Sequence, residues 1–403
     1  MKWPGKASLE IAIVLFFYGK WGGNFFLDGN KVKGINSYLA IPDQLSGHPY
    51  KLKANEDKSF QGSIVLGMGF ILESEEALKL IELNPRNKEV LFPFLNGEDF
   101  NTNPTQLPSR WVINFFDWPL KRENLSDNWL EATSNQKKIW LRRGIVPIDY
   151  PDRVATDYPE CLQIIEERVK PERTRKKEDG SYVLRKPLPQ KWWIYAEKRP
   201  KLYLTISNLN QVVCIPETTK FLTFAFSPTN IVFSHAMKII AFSSIPYITL
   251  LSSTIHQIWA IKYSSTLETR LKYITTDAFE TFPFPNSLDN LSRVGESFFN
   301  LRQEIMKENQ EGLTKTYNRF HNKIESSEKF MRLRDLFVEI DNSVASLYVW
   351  DDISLNHGFY NTSQGLRFTV SEVAKNEILQ RLLVLNHKIF NEEQKKIILK
   401  QKS

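Results

Sequence analysis

One short stretch carries side chains of the types that read the edges of bases. Polar and apolar residues alternate along Thr266-Leu-Glu-Thr-Arg-Leu-Lys-Tyr273, so an extended strand would project Glu268, Arg270 and Lys272 from one face. Glutamate can accept a hydrogen bond from cytosine N4, and arginine can bridge guanine O6 and N7. The alternative interpretation is a surface strand whose charged side chains pair with one another.

A basic segment extends from Arg168 to Lys201. It contains 12 lysines and arginines against four acidic residues, a net charge of +8, whereas the rest of the chain sums to −1. Tyr182, Trp192, Trp193 and Tyr195 are interleaved with these charges. This mixture suits contacts with phosphates and sugars. A charge run can also be a solvated face with no ligand.

Catalytic motifs are weak. Gly67-Met-Gly69 resembles a cofactor loop, but the helix predicted to follow it starts with a capping Ser74 and two glutamates, which disfavours an anionic ligand at its N-terminus. A close-packed or bulged strand over residues 64–72 is the preferred interpretation. The chain has no Pro-Pro dipeptide, whereas amino-methylating DNA enzymes need an Asn/Asp-Pro-Pro-aromatic turn that holds the extruded base.

Metal and redox chemistry are not favoured either. The acidic pairs Glu98-Asp99 and Asp351-Asp352 are typical of loops or helix caps. The six histidines are scattered, and Cys161 and Cys214 are far apart, which excludes a zinc cluster of linked Cys and His ligands and indicates a reducing, cytoplasmic setting. Two apolar stretches, residues 9–18 and 231–252, are too short or too interrupted for membrane spans, and we expect buried core instead.

The predicted fold class is α+β. Residues 9–18 are typical of a strand buried on both faces, and strands and helices, including a strand at Trp111 and a helix between Asp157 and Val169, alternate to about residue 286. Apolar residues then recur at helical spacing in three segments, around Leu291–Ile305, Leu333–Leu347 and after Ser371. We therefore predict an incomplete sheet over 1–45, a mixed α/β domain over 46–286 and a helical domain over 287–403, with an insertion at 121–150.

Several long motifs resemble those of MmeI-like DNA methyltransferases, which belong to type IIL restriction-modification systems and methylate adenine at N6. The resemblance rests on the following stretches: Gln61-Gly-Ser-Ile-Val-Leu-Gly-Met-Gly-Phe70, Val90-Leu-Phe-Pro-Phe-Leu-Asn-Gly-Glu-Asp99, Ser109-Arg-Trp-Val-Ile-Asn-Phe-Phe-Asp-Trp-Pro119, Val169-Lys-Pro-Glu-Arg173, Trp192-Trp193 before Lys198-Arg-Pro200, Phe279-Glu-Thr-Phe-Pro-Phe-Pro285, Thr316-Tyr-Asn-Arg-Phe-His321, His357-Gly-Phe359 and Gly365-Leu-Arg-Phe-Thr369.

This resemblance implies that the chain contains the target recognition and C-terminal helical regions of such an enzyme. In the family, a domain dependent on S-adenosylmethionine precedes these motifs, and Lys2-Trp-Pro-Gly-Lys-Ala7 would match the tail of its catalytic sheet. We therefore expect a module that chooses the DNA sequence and binds no cofactor itself. The expected partners are double-stranded DNA and a separate methyltransferase or endonuclease chain, unless the gene is a remnant.

The alternatives are an active DNA methyltransferase or restriction endonuclease with a divergent site, and an RNA-binding or scaffold protein, for which no motif speaks. On the preferred hypothesis, the basic segment contacts the DNA backbone and a second set of side chains reads bases. The expected backbone contacts are Arg173, Arg175, Lys176, Lys177, Arg185, Lys191, Trp192 and Arg199. The expected base-reading residues are Lys220, Glu268, Arg270 and Lys272.

Overall fold

The computed structural model describes residue 15 and residues 17–27, 29–35, 47–267 and 270–402. Most of the strand predicted over 9–18 lies outside the described residues, but Leu15, Phe17 and Tyr18 are exposed, so the predicted burial is wrong at those positions. Much of the incomplete sheet predicted over 1–45 also lies outside the described residues. Within that region β1 (Phe25–Leu27) and β2 (Asn30–Val32) form an antiparallel hairpin with Leu27 opposite Asn30.

Short strands and helices alternate between residues 59 and 206. They are β3 (Ser59–Gln61), β4 (Ile71–Glu73), α1 (Ser74–Leu83), β5 (Leu91–Leu95), α2 (Gly97–Thr102), β6 (Arg110–Ile113), β7 (Lys121–Glu123), α3 (Ser134–Arg143), β8 (Ile145–Pro147), α4 (Pro159–Arg168), α5 (Lys170–Arg173) and α6 (Pro200–Ile206). β6 lies between β5 and β4, antiparallel to both. The strand predicted at Trp111 and the helix predicted before Val169 are confirmed as β6 and α4.

The next elements build two further sheets. They are β9 (Gln211–Pro216), β10 (Thr218–Thr219), β11 (Ala225–Pro228), β12 (Val232–Phe233), β13 (Met237–Ile240), α7 (Ile245–Ser252), α8 (Thr254–Tyr263), β14 (Ser265–Leu267), β15 (Arg270–Lys272) and α9 (Thr275–Ala278). One sheet has the order β11-β9-β13-β3 and the other has the order β10-β15-β14. β12 instead joins the earlier sheet, in parallel with β5.

Much of the apolar stretch over residues 231–252 is buried, in β12, β13 and α7, as the sequence predicted. Its apolar side chains pack against neighbouring strands and helices within the protein. None of the helices in the described part of the chain has the length and apolar character that a membrane span requires.

Two details of the predicted secondary structure were wrong. The strand expected over 64–72 is interrupted because Leu66 and Gly67 have φ angles of 50° and 137°, and a 3-10 turn at Met68–Phe70 precedes β4. Ser74 is the first residue of α1 and does not cap it. Its hydroxyl donates instead to the carbonyl oxygen of Ser109 at 2.7 Å.

Residues 121–150 form a small lobe with its own aromatic core. The ring of Trp129 lies 4.7 Å from that of Tyr150 and 6.1 Å from that of Trp140, measured between centroids. At the base of the lobe the chain passes close to the rest of the protein, since a Cβ added at Gly144 would lie 2.3 Å from the Trp193 ring. The predicted insertion is therefore a folded unit that rests on the end of the basic segment.

The C-terminal region consists of helices and one hairpin: α10 (Ser292–Asn309), α11 (Leu313–Phe320), α12 (Glu328–Leu347), β16 (Gly358–Thr362), β17 (Gly365–Thr369) and α13 (Glu372–Lys402). The three helices predicted from apolar spacing are confirmed as α10, α12 and α13. The hydroxyl of Ser371 accepts from the N–H of Ala374 at 3.2 Å, as expected of a cap. The sequence pattern did not predict the hairpin of β16 and β17.

One hydrophobic core extends from the α/β region into the C-terminal helices. Buried polar contacts also cross residue 287, where a domain boundary was predicted. Asp341 of α12 accepts from the N–H of Thr254 at the start of α8 at 2.7 Å, and it pairs with His357 at 2.8 Å. Asn386 of α13 donates to the carbonyl of Thr281 at 2.6 Å. The two regions therefore position each other.

Candidate nucleic-acid interface

A short hairpin presents the centre of the basic segment. The N–H of Lys177 donates to the carbonyl of Ser181 at 2.8 Å, and the N–H of Val183 donates to that of Arg175 at 2.9 Å. Lys176 and Tyr182 face each other across the two arms, with the ammonium 5.7 Å from the ring centroid. We call residues 175–183 the basic hairpin.

The cations of the basic hairpin have no carboxylate partner among the described residues. Five basic side chains are exposed here: Arg175, Lys176 and Lys177 in the hairpin, and Arg185 and Lys186 after it. No carboxylate of the described residues lies within 4.0 Å of any of them. At the tip of the hairpin, Asp179 accepts from the hydroxyl and the N–H of Ser181, and these bonds hold its pKa below the usual value. The arms of the hairpin are thus more cationic than its tip.

The cations that flank the hairpin are paired. Lys198 and Lys191 lie 2.7 Å and 3.8 Å from the same oxygen of Asp117. The remaining pairs are Arg168 with Glu76, Lys170 with Glu166, Arg199 with Glu197, and Lys201 with Asp57. Of the 12 basic residues counted in the sequence, six therefore have a carboxylate partner and five are exposed without one.

Arg173 is the twelfth, and its predicted contact with phosphate was wrong. Its side chain is 1% exposed, and its guanidinium donates to the carbonyls of Val65 and Leu66 at 2.6 and 2.7 Å and to that of Ile194. Burial lowers the pKa of Arg173 to about 10. Carbonyl oxygens satisfy its donors, so Arg173 joins the basic segment to the loop after β3 and cannot reach DNA.

Trp192 was also predicted as a backbone contact, and the structure contradicts this. It is only 6% exposed and lies in the core beneath the sheet of β4, β5 and β6. The ammonium of Lys170 covers its ring at 4.7 Å. The aromatic residue of the segment that is available to a ligand is Tyr182, of which 37% is exposed.

The second predicted set of residues meets on the sheet of β10, β15 and β14. Thr219 pairs with Leu271, so the register brings Lys220, the next residue, beside Arg270. Arg270 and Lys272 are exposed on either side of the buried Leu271. The single strand predicted over 266–273 is two antiparallel strands, because β14 ends at Leu267 and β15 begins at Arg270. Glu268 lies outside the described residues.

A line of polar contacts connects this sheet to the end of the basic segment. Arg199 donates to the side chain of Gln61 at 3.3 Å, Gln61 donates to Glu217 at 3.4 Å, and Glu217 lies 3.7 Å from the ammonium of Lys272. Lys238 also pairs with Glu217, at 3.5 Å, and burial lowers its pKa. We call these five residues the polar row.

No sequence pattern indicates the polar row, because three of its members lie in separate strands, Glu217 lies between β9 and β10, and Arg199 precedes α6. Lys220 also has a partner that is distant in the sequence, since its ammonium donates to the Asn318 side chain of α11 at 2.6 Å. Lys238 is the one charged residue in the otherwise apolar strand β13, which could have drawn attention to it but not to its partner.

The residues considered for catalysis have other partners. A Cβ at Gly69 would lie 2.4 Å from the Cβ of Arg168, so the glycine allows the loop to pack closely against α4. Asp99 accepts from the hydroxyl of Ser109 at 2.7 Å, and Asp352 binds Arg381. Among the residues that the structure describes, no group of three or more His, Cys, Asp or Glu could hold a metal ion.

Comparison with known proteins gives two findings. Residues 167–286 match the family model of the MmeI target recognition domain. The chain is also similar to a solved structure of the type IIL restriction-modification enzyme MmeI in complex with DNA, with a TM-score of 0.54 and 18% identity. That similarity covers 90% of this chain and 39% of the solved chain. No curated protein matches the chain.

Proposed function

We propose that this chain, which includes an MmeI-type target recognition domain, binds duplex DNA and reads its base sequence. One observation carries the proposal: the matched region, residues 167–286, contains both the exposed unpaired cations and the sheet of Lys220 and Arg270. Cations without carboxylate partners have no ion pair to break when they approach a phosphate, and each contact releases counterions from the DNA.

The basic hairpin and the sheet of β10, β15 and β14 have different roles in this proposal. Arg175, Lys176, Lys177 and Arg185 contact the phosphate backbone, with Tyr182 against a sugar or base. Backbone contacts of this kind fix the register of a protein on the duplex without specifying sequence. Lys191 and Arg199 are secondary backbone contacts, because each must first be drawn from a carboxylate.

Sequence is read from the sheet. Lys220, Arg270 and Lys272 are proposed as base-reading residues, together with Glu268. Arginine and lysine bind guanine O6 and N7, and each good contact discriminates by ~1–3 kcal/mol. Arg270 is the strongest candidate, since it is exposed and, among the described residues, no carboxylate lies within 4.0 Å.

Methylation of adenine N6 with S-adenosylmethionine is proposed to be the task of a catalytic domain outside these 403 residues. Support comes from the missing Pro-Pro dipeptide and from the packing of Gly69 against α4. A type IIL restriction-modification system would supply this domain, on a separate chain or in the same polypeptide.

Binding of a labelled random-sequence duplex at increasing salt tests the first part of the proposal. The logarithm of the affinity should fall linearly with the logarithm of the salt concentration, by roughly 0.9 for each phosphate contact. Unlabelled duplex DNA should compete better than an RNA of the same sequence. A flat salt response, or stronger competition by RNA, would rule out the proposed ligand.

Base reading is tested by selecting preferred sequences from a random duplex library. Arg270→Gln should relax the preference at one position, whereas Arg175→Gln should weaken binding to all sequences about equally. If the two variants change the profile in the same way, the proposed division between backbone contacts and base-reading contacts is wrong.

A further inference from the structure

A cavity of about 580 Å³ lies between the α/β region and the hairpin of β16 and β17. Phe221, Gln257 and Leu271 line it from one side, and His321 and Arg367 line it from the other. Its volume is in the range that small organic ligands occupy. None of the contacts proposed for DNA reading uses this cavity.

His321 offers a hydrogen-bond donor to the cavity. Its Nδ1 accepts from the backbone N–H of Phe368 at 3.1 Å, so in the neutral ring the proton is on Nε2. Burial and the nearby Arg367, Arg334 and Lys220 lower the pKa of His321 to about 3, which keeps the ring neutral at physiological pH. Among the described residues, Nε2 has no hydrogen-bond partner.

Arg367 brings a positive charge that the protein does not neutralise. No carboxylate of the described residues lies within 4.0 Å of it, and burial lowers its pKa. Its guanidinium lies 4.8 Å from the ring centroid of Phe221 and donates to the carbonyl of Leu366 at 3.0 Å. A guanidinium has five N–H donors, so most of them remain available to an anion.

The rest of the wall combines apolar and amide groups with three charged side chains, Lys262, Lys375 and Glu372, of which Lys375 and Glu372 pair with each other. Leu271, Phe337 and Leu379 provide apolar surface, and the amides of Gln257, Asn361 and Gln364 also line the cavity. Asn and Gln amides can bind adenine N6 and N7 with two hydrogen bonds. An inorganic anion would leave the apolar walls empty, and a neutral apolar molecule would leave Arg367 without a partner.

We propose that this cavity binds a nucleotide, with its phosphate at Arg367 and His321 and its base among the apolar and amide groups. The nucleotide is either free in solution or a residue of bound DNA that has rotated out of the duplex, since both sources present the same chemistry. The site goes beyond the proposed DNA reading; binding of a free nucleotide does not depend on that proposal, whereas binding of a residue of DNA rests on it.

The first experiment titrates the full chain with 2′-deoxyadenosine 5′-monophosphate by calorimetry, with deoxyadenosine as the matched ligand that lacks the phosphate. The second measures the fluorescence of a duplex that carries 2-aminopurine, which rises when the base leaves the stack. Each is repeated with Arg367→Gln and with the control Arg332→Gln, which removes an exposed arginine of α12 that lines no part of the cavity. Thermal unfolding confirms that both variants fold.

In the free-nucleotide case, the monophosphate should bind about tenfold more tightly than deoxyadenosine, and Arg367→Gln should abolish the difference. In the other case, only the duplex should respond, with a fluorescence rise that Arg367→Gln removes and Arg332→Gln retains. The proposal is overturned if neither the monophosphate nor the duplex gives a response, or if the response that is observed does not change in Arg367→Gln. If the unmodified chain binds the mononucleotide but not the duplex, the result counts only against the proposed DNA reading and not against the nucleotide site.

Discussion

The basic hairpin and the residues that follow it belong to one basic segment, yet the structure treats their charges differently. In the hairpin, Arg175, Lys176 and Lys177 have no carboxylate partner among the described residues. From residue 191 to residue 201 every lysine and arginine pairs with a carboxylate. Of these two groups, only the first is proposed to meet DNA phosphates without first breaking an ion pair.

A run of basic residues is therefore not uniform in function. A surface ion pair contributes little to stability, but a paired lysine must give up its partner before it binds a phosphate. Arg173 is not available to a phosphate at all, since its guanidinium is surrounded by carbonyl oxygens and stabilises the fold. Charge density along the sequence therefore overestimates the surface available to a polyanion.

The largest expected effect comes from Arg173. Arg173→Leu should lower the free energy of unfolding by about 4 kcal/mol, because several buried carbonyl oxygens lose their donor at ~1–3 kcal/mol each. Denaturant unfolding measures this, with Arg175→Leu as the control that should change stability by less than about 0.5 kcal/mol. If the Arg173→Leu protein is as stable as the unmodified chain but binds DNA more weakly, Arg173 contacts DNA and is not the structural residue described here.

The next effect concerns the hairpin itself. Changing Arg175, Lys176 and Lys177 together to Gln should make the salt dependence shallower by roughly 2.7, or 0.9 for each contact, and weaken binding by about a hundredfold at ~0.1 M salt. The matched control changes Lys170, Lys198 and Lys201 to Gln, which removes the same charge from paired positions. Equal losses in both triple variants would show that pairing does not matter.

The smallest expected effect comes from Asp117, the carboxylate that two lysines share. Asp117→Asn releases Lys191 and Lys198 from their shared carboxylate, so these lysines become similar to those of the hairpin. DNA binding should tighten, by no more than about fivefold, since an exposed ion pair is worth ~1 kcal/mol at most. Fluorescence anisotropy detects the change, and unchanged binding would mean that this face does not approach DNA.

Part of the candidate site was predictable and part was not. The sequence located the basic segment and singled out Lys220, Arg270 and Lys272 as base-reading residues, whose role stays a prediction. It could not identify Arg173 and Trp192 as buried, because both lie amid charged residues that are exposed. The contacts that bury them come from residues 65–66, from Ile194 and from α5, and no local pattern reports such contacts.

Local periodicity by itself determined the helices α10, α12 and α13 and the strand β6, because spacing of apolar residues reports which face an element buries. The order of the charged residues along the chain also located the positive charge, between Arg168 and Lys201. Only the tertiary structure decided which charges are free, since Asp117 and Asp57 lie far along the chain from the lysines they pair with. It also placed Lys220 beside Arg270, because strand pairing joins residues that the sequence separates.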